Sequence, residues 1–237
     1  MPFKIKPSKK PKEVRALIEG FPGFGLVSTI TTGYLIDCLE CEKIGTYYFE
    51  EPPATVAIHE GKVLESIGIY LMQKPKIVIL HSLTSAFGIE WKAAQFVTNL
   101  CNYLNAEELI SIEGISSSEI GPEPKAYYYT KNPILAKNYE KIGIKKINEG
   151  IIVGVTAALL QTHPAHLSCI FAEAQPGIPD NRAAAKIIEV LDKYLGLKID
   201  YVPLLKKAEE IELSFKKLIE QILKIKRAKP KAPPYIV

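Results

Sequence analysis

The chain never strings eighteen apolar residues together, so it holds no segment able to cross a bilayer as a helix. Residues 1–12 are rich in Lys and Pro and lack the apolar stretch of a signal peptide. A cytoplasmic location is the expectation. Cysteine is scarce: Cys38, Cys41, Cys101 and Cys169 are the full set, which argues against a disulfide scaffold. Cys38-Leu39-Glu40-Cys41 has metal or redox spacing, and His163-Pro164-Ala165-His166 would add two ligands. A second CxxC is absent, however, and the HxxH spacing is shorter than the usual zinc-finger pair. Cys38 also falls near the end of an apolar helical pattern, where cysteine acts as a small hydrophobe. No metal and no cofactor are expected.

Catalytic signatures are equally thin. There is no Walker Lys-Ser/Thr pair and no G-x-S-x-G elbow, and Ser82, Ser85 and Ser116 to Ser118 show no His-and-acid pairing. His59 and His81 end apolar strand patterns and read as structural, and Glu50-Glu51-Pro52-Pro53 reads as a polar turn. The expectation is a protein that is not an enzyme. Net positive charge is missing from the body. Residues 203–231 carry nine Lys/Arg against four Glu, so a net charge of +4 leaves the remainder near −1. A nucleic-acid binder needs a basic face on its folded body, and none is expected here.

What the chain does contain is alternation. Strand patterns at 14–19, 44–49, 55–59, 63–71, 76–81, 108–115, 126–130 and 169–174 interleave with helical patterns at 26–39, 89–103, 156–161 and 182–195. A short helical turn at 133–138 and an ambiguous stretch at 143–148 complete the series. Asp180 is placed to cap the helix that Gly196 ends. The economical arrangement is an α/β sandwich, a mixed sheet with helices on both faces. The division expected is a flexible basic N-terminus at 1–12, an α/β domain at 13–202, a helix at 203–227 and a Pro-rich tail at 228–237.

Two stretches carry candidate function. Gly20-Phe21-Pro22-Gly23-Phe24-Gly25 runs from a strand into a helix. Gly20, Gly23 and Gly25 would let the backbone approach an anion at a helix amino end, or serve only a sharp turn. At the other end, Leu204, Ala208, Ile211, Phe215, Leu218, Ile222 and Ile225 recur with spacings of four and three, one apolar seam along a helix. Lys224, Lys226 and Arg227 suit its negative pole. Pro230, Pro233 and Pro234 then forbid further helix. The chain ends Tyr235-Ile236-Val237 on an extended stalk, either inert or made to enter a partner.

Several stretches together resemble the proteasome assembly chaperone 2 family, and specifically its archaeal members. They are Gly20 to Val27, Pro52-Pro53 with Gly61-Lys62, and Gly150, Gly154 and Ala157-Ala158-Leu159-Leu160. The most specific is Pro176-Gly177-Ile178-Pro179-Asp180-Asn181-Arg182-Ala183-Ala184, followed by Gly196 and Asp200. The resemblance implies a nucleoside phosphorylase-like three-layer α/β/α sandwich with no known catalysis, and homo-oligomers that bind proteasome core-particle α subunits. It also implies a terminal motif whose penultimate Tyr and carboxylate enter pockets between α subunits, an aromatic anchor plus carboxylate capture. Here Tyr235 stands third from the end, which shifts the carboxylate by about 3.3 Å. Tyr235, Ile236 and Val237 are the expected partner-binding residues, and the Leu204–Ile225 seam would pack on the body or on another copy. The alternative is an enzyme for a nucleoside or phosphorylated small molecule, with Gly20–Gly25 as its anion site.

Overall fold

The strands near the centre of the sheet are apolar on both faces, the pattern of a sheet covered on both sides. The computed structural model describes residues 4–5, 11–51, 57–59, 61–116, 121, 123–175 and 177–206. Their strands are β1 (Lys4–Ile5), β2 (Ala16–Gly20), β3 (Glu42–Tyr47), β4 (Ala57–His59), β5 (Lys62–Leu64) and β6 (Ile67–Gln73). They continue with β7 (Lys76–Ser82), β8 (Leu109–Ser116), β9 (Ala126–Thr130), β10 (Lys145–Lys146) and β11 (Leu167–Ala174). The helices are α1 (Val27–Cys38), α2 (Glu90–Leu104), α3 (Pro133–Lys141), α4 (Gly154–Thr162) and α5 (Asn181–Leu195). Residues 202–206 are helical as well.

Among the described residues, nine strands form a mixed sheet in the order β1-β3-β6-β7-β2-β8-β11-β9-β10. The four central strands β7, β2, β8 and β11 are mutually parallel, whereas β6, β3 and β1 add antiparallel on one side and β9 on the other. Strand alternation divides the apolar side chains into two cores. Leu17, Val78, Leu80, Leu109 and Phe171 pack with α2 and α4. Ala16, Ile18, Ile79, Ile110 and Ile170 pack with α1, α3 and α5.

Local chemistry sets the ends of these elements. In α2, Ala93, Phe96, Val97, Leu100, Cys101 and Leu104 are buried at three- and four-residue spacing, one stripe on one core. Asp180 caps α5 as expected, its Oδ1 accepting from the Ala183 amide at 2.9 Å, and Gly196 ends the helix at φ 70°. Asn132 caps α3 by accepting from the Ile134 and Leu135 amides with Pro133 at the first position, so the expected short turn extends to a helix through Lys141.

The single strand expected at 63–71 is instead two. β5 pairs with β4 in a separate hairpin, and β6 pairs with β3 and β7. The break falls at Glu65-Ser66, where Glu65 pairs with Lys43 and the Ser66 carbonyl accepts from the Leu83 amide. The ambiguous 143–148 stretch supplies β10, parallel to β9. Leu204 is buried in the second core, so the terminal helix starts against the body. The remaining seam positions Ala208, Ile211, Phe215, Leu218, Ile222 and Ile225, and the Tyr235-Ile236-Val237 end, lie outside the described residues.

Candidate functional site

Two neighbouring parallel strands carry the same tripeptide, Ile18-Glu19-Gly20 at the end of β2 and Ile112-Glu113-Gly114 two residues before the end of β8. Alternation sends Ile18 and Ile112 into the second core and turns Glu19 and Glu113 to the opposite face of the sheet. There they are 1% and 5% exposed. Ionised carboxylates so placed are costly unless donors surround them, and donors are supplied. Glu19 Oε2 accepts from the Phe21 amide at 3.3 Å, and its Oε1 accepts from the Ser111 hydroxyl. Glu113 Oε1 accepts from the amides of Phe24 at 2.9 Å and Gly114 at 3.1 Å, and Oε2 from the Thr156 hydroxyl at 3.4 Å. The Ser111 and Thr156 hydroxyl oxygens stand 2.9 Å apart; two hydroxyls carry two protons for the three links between the acids, so the chain is complete when one carboxyl supplies the third.

Burial outweighs these bonds. It pushes Glu19 up to about 7 against the opposing Ser111 and Phe21 donors. It pushes Glu113 up to about 8, with the nearby Glu19 carboxyl adding to the rise against the Phe24, Gly114 and Thr156 donors. The pair therefore retains protons near neutral pH. Glycine is what makes the seat possible. A Cβ on Gly23 would fall 2.1 Å from Glu113 Oε1, and one on Gly114 would fall 2.2 Å from the Phe24 carbonyl oxygen.

The acids face a cavity of about 650 Å³, within the range of small-molecule sites. It opens at the carboxyl ends of the parallel strands, where α/β sheets commonly bind ligands. Its walls come from the Gly-rich loop, the segment after β7 and the segments entering α4 and α5. Glu90 of α2 is its third carboxyl, and no Lys, Arg or His lines it among the described residues. Phe87 and Val153 form an apolar mouth, 88% and 63% exposed.

Of the three glycines singled out as an anion loop, Gly23 and Gly25 line this cavity. Gly20 lies against α1 instead, where a Cβ would come 2.5 Å from Thr32 Cγ2. The Phe21 and Phe24 amides of the loop are taken by the chain's own carboxyl groups, so an anion cradled there would face the acid pair. Cys38 is exposed and Cys41 half-buried, and burial pushes the Cys41 thiol up to about 11, away from thiolate reactivity. Among the described residues no group of three or more His, Cys, Asp or Glu could hold a metal ion. His81 has its Nδ1 2.9 Å from Thr32 Oγ1, and burial lowers its pKa. Glu19, Ser111, Glu113 and Thr156 were missed by sequence reasoning. The signal that could have found them is an acid inside an apolar strand, placed before glycine twice.

Comparison with known proteins gives whole-length relatives. The protein MJ0106 of Methanocaldococcus jannaschii, described as uncharacterized, is 28% identical over 227 residues, covering 93% of this chain and 92% of its own. Among solved structures, Pyrococcus furiosus PbaA, described as an archaeal homolog of proteasome-assembly chaperone, superposes with a TM-score of 0.77 at 29% identity. That match covers 96% of this chain and 95% of PbaA. P. furiosus PbaB, described as an archaeal proteasome activator, gives a TM-score of 0.79 at 23% identity, over 92% of this chain and 99% of its own, and shares the fold. The PAC2 family model matches residues 17–219, from β2 to beyond the start of the terminal helix, and the chain belongs to the PAC2 family.

Proposed function

We propose that this protein is a non-enzymatic, proteasome assembly chaperone-like protein of the archaeal cytoplasm, which forms homo-oligomers and binds proteasome core-particle α subunits. The observation that carries the reading is the whole-length likeness to PbaA, 29% identical over 96% of the chain. The site is compatible with it. No histidine lines the cavity among the described residues, and the Ser111 and Thr156 hydroxyls are engaged by the acid pair. Two cores on opposite parities of the central strands fit a three-layer α/β/α sandwich of the nucleoside phosphorylase type. The body at 13–202 presents a helix at 203–227 and a Pro-rich tail at 228–237. In this reading Tyr235, Ile236 and Val237 contact the α subunits.

Recombinant α rings offered to the full chain and to a chain lacking residues 235–237 test this directly. The full chain is expected to bind, and the shortened one to bind at least tenfold more weakly. Binding by neither would remove the partner, and equal binding by both would remove the role of the tail.

A further inference from the structure

We propose that the cavity above Glu19 and Glu113 is a binding site for an alkylammonium group, an ammonium head carried on an apolar chain. The inference does not rest on the proteasome reading and would survive its failure.

Charge decides the sign of the ligand. Three carboxyls line the cavity, Glu19, Glu90 and Glu113, with no basic side chain among the described lining residues. The donors beside the acids do not remain free for an anion, because the Phe21 and Phe24 amides and the Ser111 and Thr156 hydroxyls all bond the acids. Phosphate would meet carboxyl oxygens. A cation with N–H donors meets acceptors, and charge-assisted bonds to carboxylates are the stronger kind.

Shape and polarity decide the rest. The lining is largely apolar, with Phe21, Leu26, Phe87, Val153, Val155 and Ile178 around the acids. A bare metal ion would leave these walls unmatched, and such walls suit methylene groups. The seat is also built. Gly23 and Gly114 remove the two Cβ atoms that would collide with Glu113 Oε1 and the Phe24 carbonyl oxygen.

The titratable groups beside Glu113 are Glu19 on β2 and Cys169 on β11, and Glu90 of α2 lines the same cavity, all acids or a thiol. Burial holds Glu19 and Glu113 up to about 7 and about 8, so a bound cation competes with protons and its affinity rises with pH. The head group can arrive on a free amine or on a lysine side chain, and both are to be tried.

The experiment follows the methyl NMR signals of Val153, Val155 and Ile178 in the full chain. The probes are butylammonium and Nα-acetyl-lysine N-methylamide, against butanol, butyrate and inorganic phosphate. At least one of the two amines is expected to saturate the shifts, at least tenfold more tightly at pH 8.5 than at pH 6. Glu113→Gln is expected to weaken binding at least tenfold at pH 8.5, and Glu90→Gln, at the cavity wall, to weaken it less. The tighter of the two amines identifies the source. Three results would overturn the proposal: saturation by phosphate or butyrate, no saturation by either amine, or unchanged affinity in both variants.

Discussion

Glu113 ties local backbone to electrostatics, and its burial should be visible as a pH dependence of stability. In the unfolded chain its carboxyl titrates near 4.5, while in the fold burial holds it up to about 8, with Glu19 at about 7. Between those values the folded state binds more protons than the unfolded one, so stability falls as pH rises. The contribution is whole below about pH 4.5 and is lost as pH passes through 7 and 8. Its size is on the order of a few kcal/mol for a shift of this kind. Glu113→Gln imitates the protonated acid, because its carbonyl can accept from the Phe24 and Gly114 amides and its amide can donate to Thr156. Urea midpoints at pH 5, 7 and 9 should therefore fall less steeply in the variant than in the parent. Parallel profiles would show that Glu113 titrates normally in the fold.

Asp180 acts at the scale of elements, because one residue ties three of them together. Its Oδ1 caps α5 through the Ala183 amide, its Oδ2 accepts from the Gln175 amide just past β11, and its own amide donates to the Gly25 carbonyl of the Gly-rich loop. Asp180→Ala should cost about 1–2 kcal/mol from the cap alone. The lost Gln175 bond adds to that, as a lower midpoint in thermal melts. Asp180→Asn keeps the capping oxygen but turns the acceptor facing the Gln175 amide into a donor, so it should recover the cap's share of the loss and not the Gln175 bond. An alanine variant as stable as the parent would show that the cap and the Gln175 bond contribute nothing to stability.

Asp180 was legible in the sequence because capping is local, a side chain meeting an amide three residues on. The α2 stripe and the start and end of α5 were legible for the same reason. The break between β5 and β6 was not, because it depends on Lys43 and Leu83, residues distant in sequence that reach Glu65 and Ser66. The acid pair was hidden in the same way. Each Ile-Glu-Gly looks like an ordinary piece of strand until the sheet order places β2 beside β8 and α4 brings Thr156 to Glu113 and Ser111.

At the scale of the whole molecule, the question is where the body ends and assembly begins. Leu204 is buried in the second core beside Leu197 and Ile199, so the body closes on the first turn of the terminal helix. The seam continues in the sequence through Ala208, Ile211, Phe215, Leu218, Ile222 and Ile225 at spacings of four and three, the repeat that pairs helices with one another. In the proposed homo-oligomer the seam beyond Leu204 is the part that packs on another copy. Cutting the chain after Lys206 should then leave a folded body, melting within a few degrees of the parent, whose mass in solution falls from oligomer to monomer. A melting point lowered by ten degrees or more would instead assign the seam to the body's own core. An unchanged oligomer would move self-association to another surface.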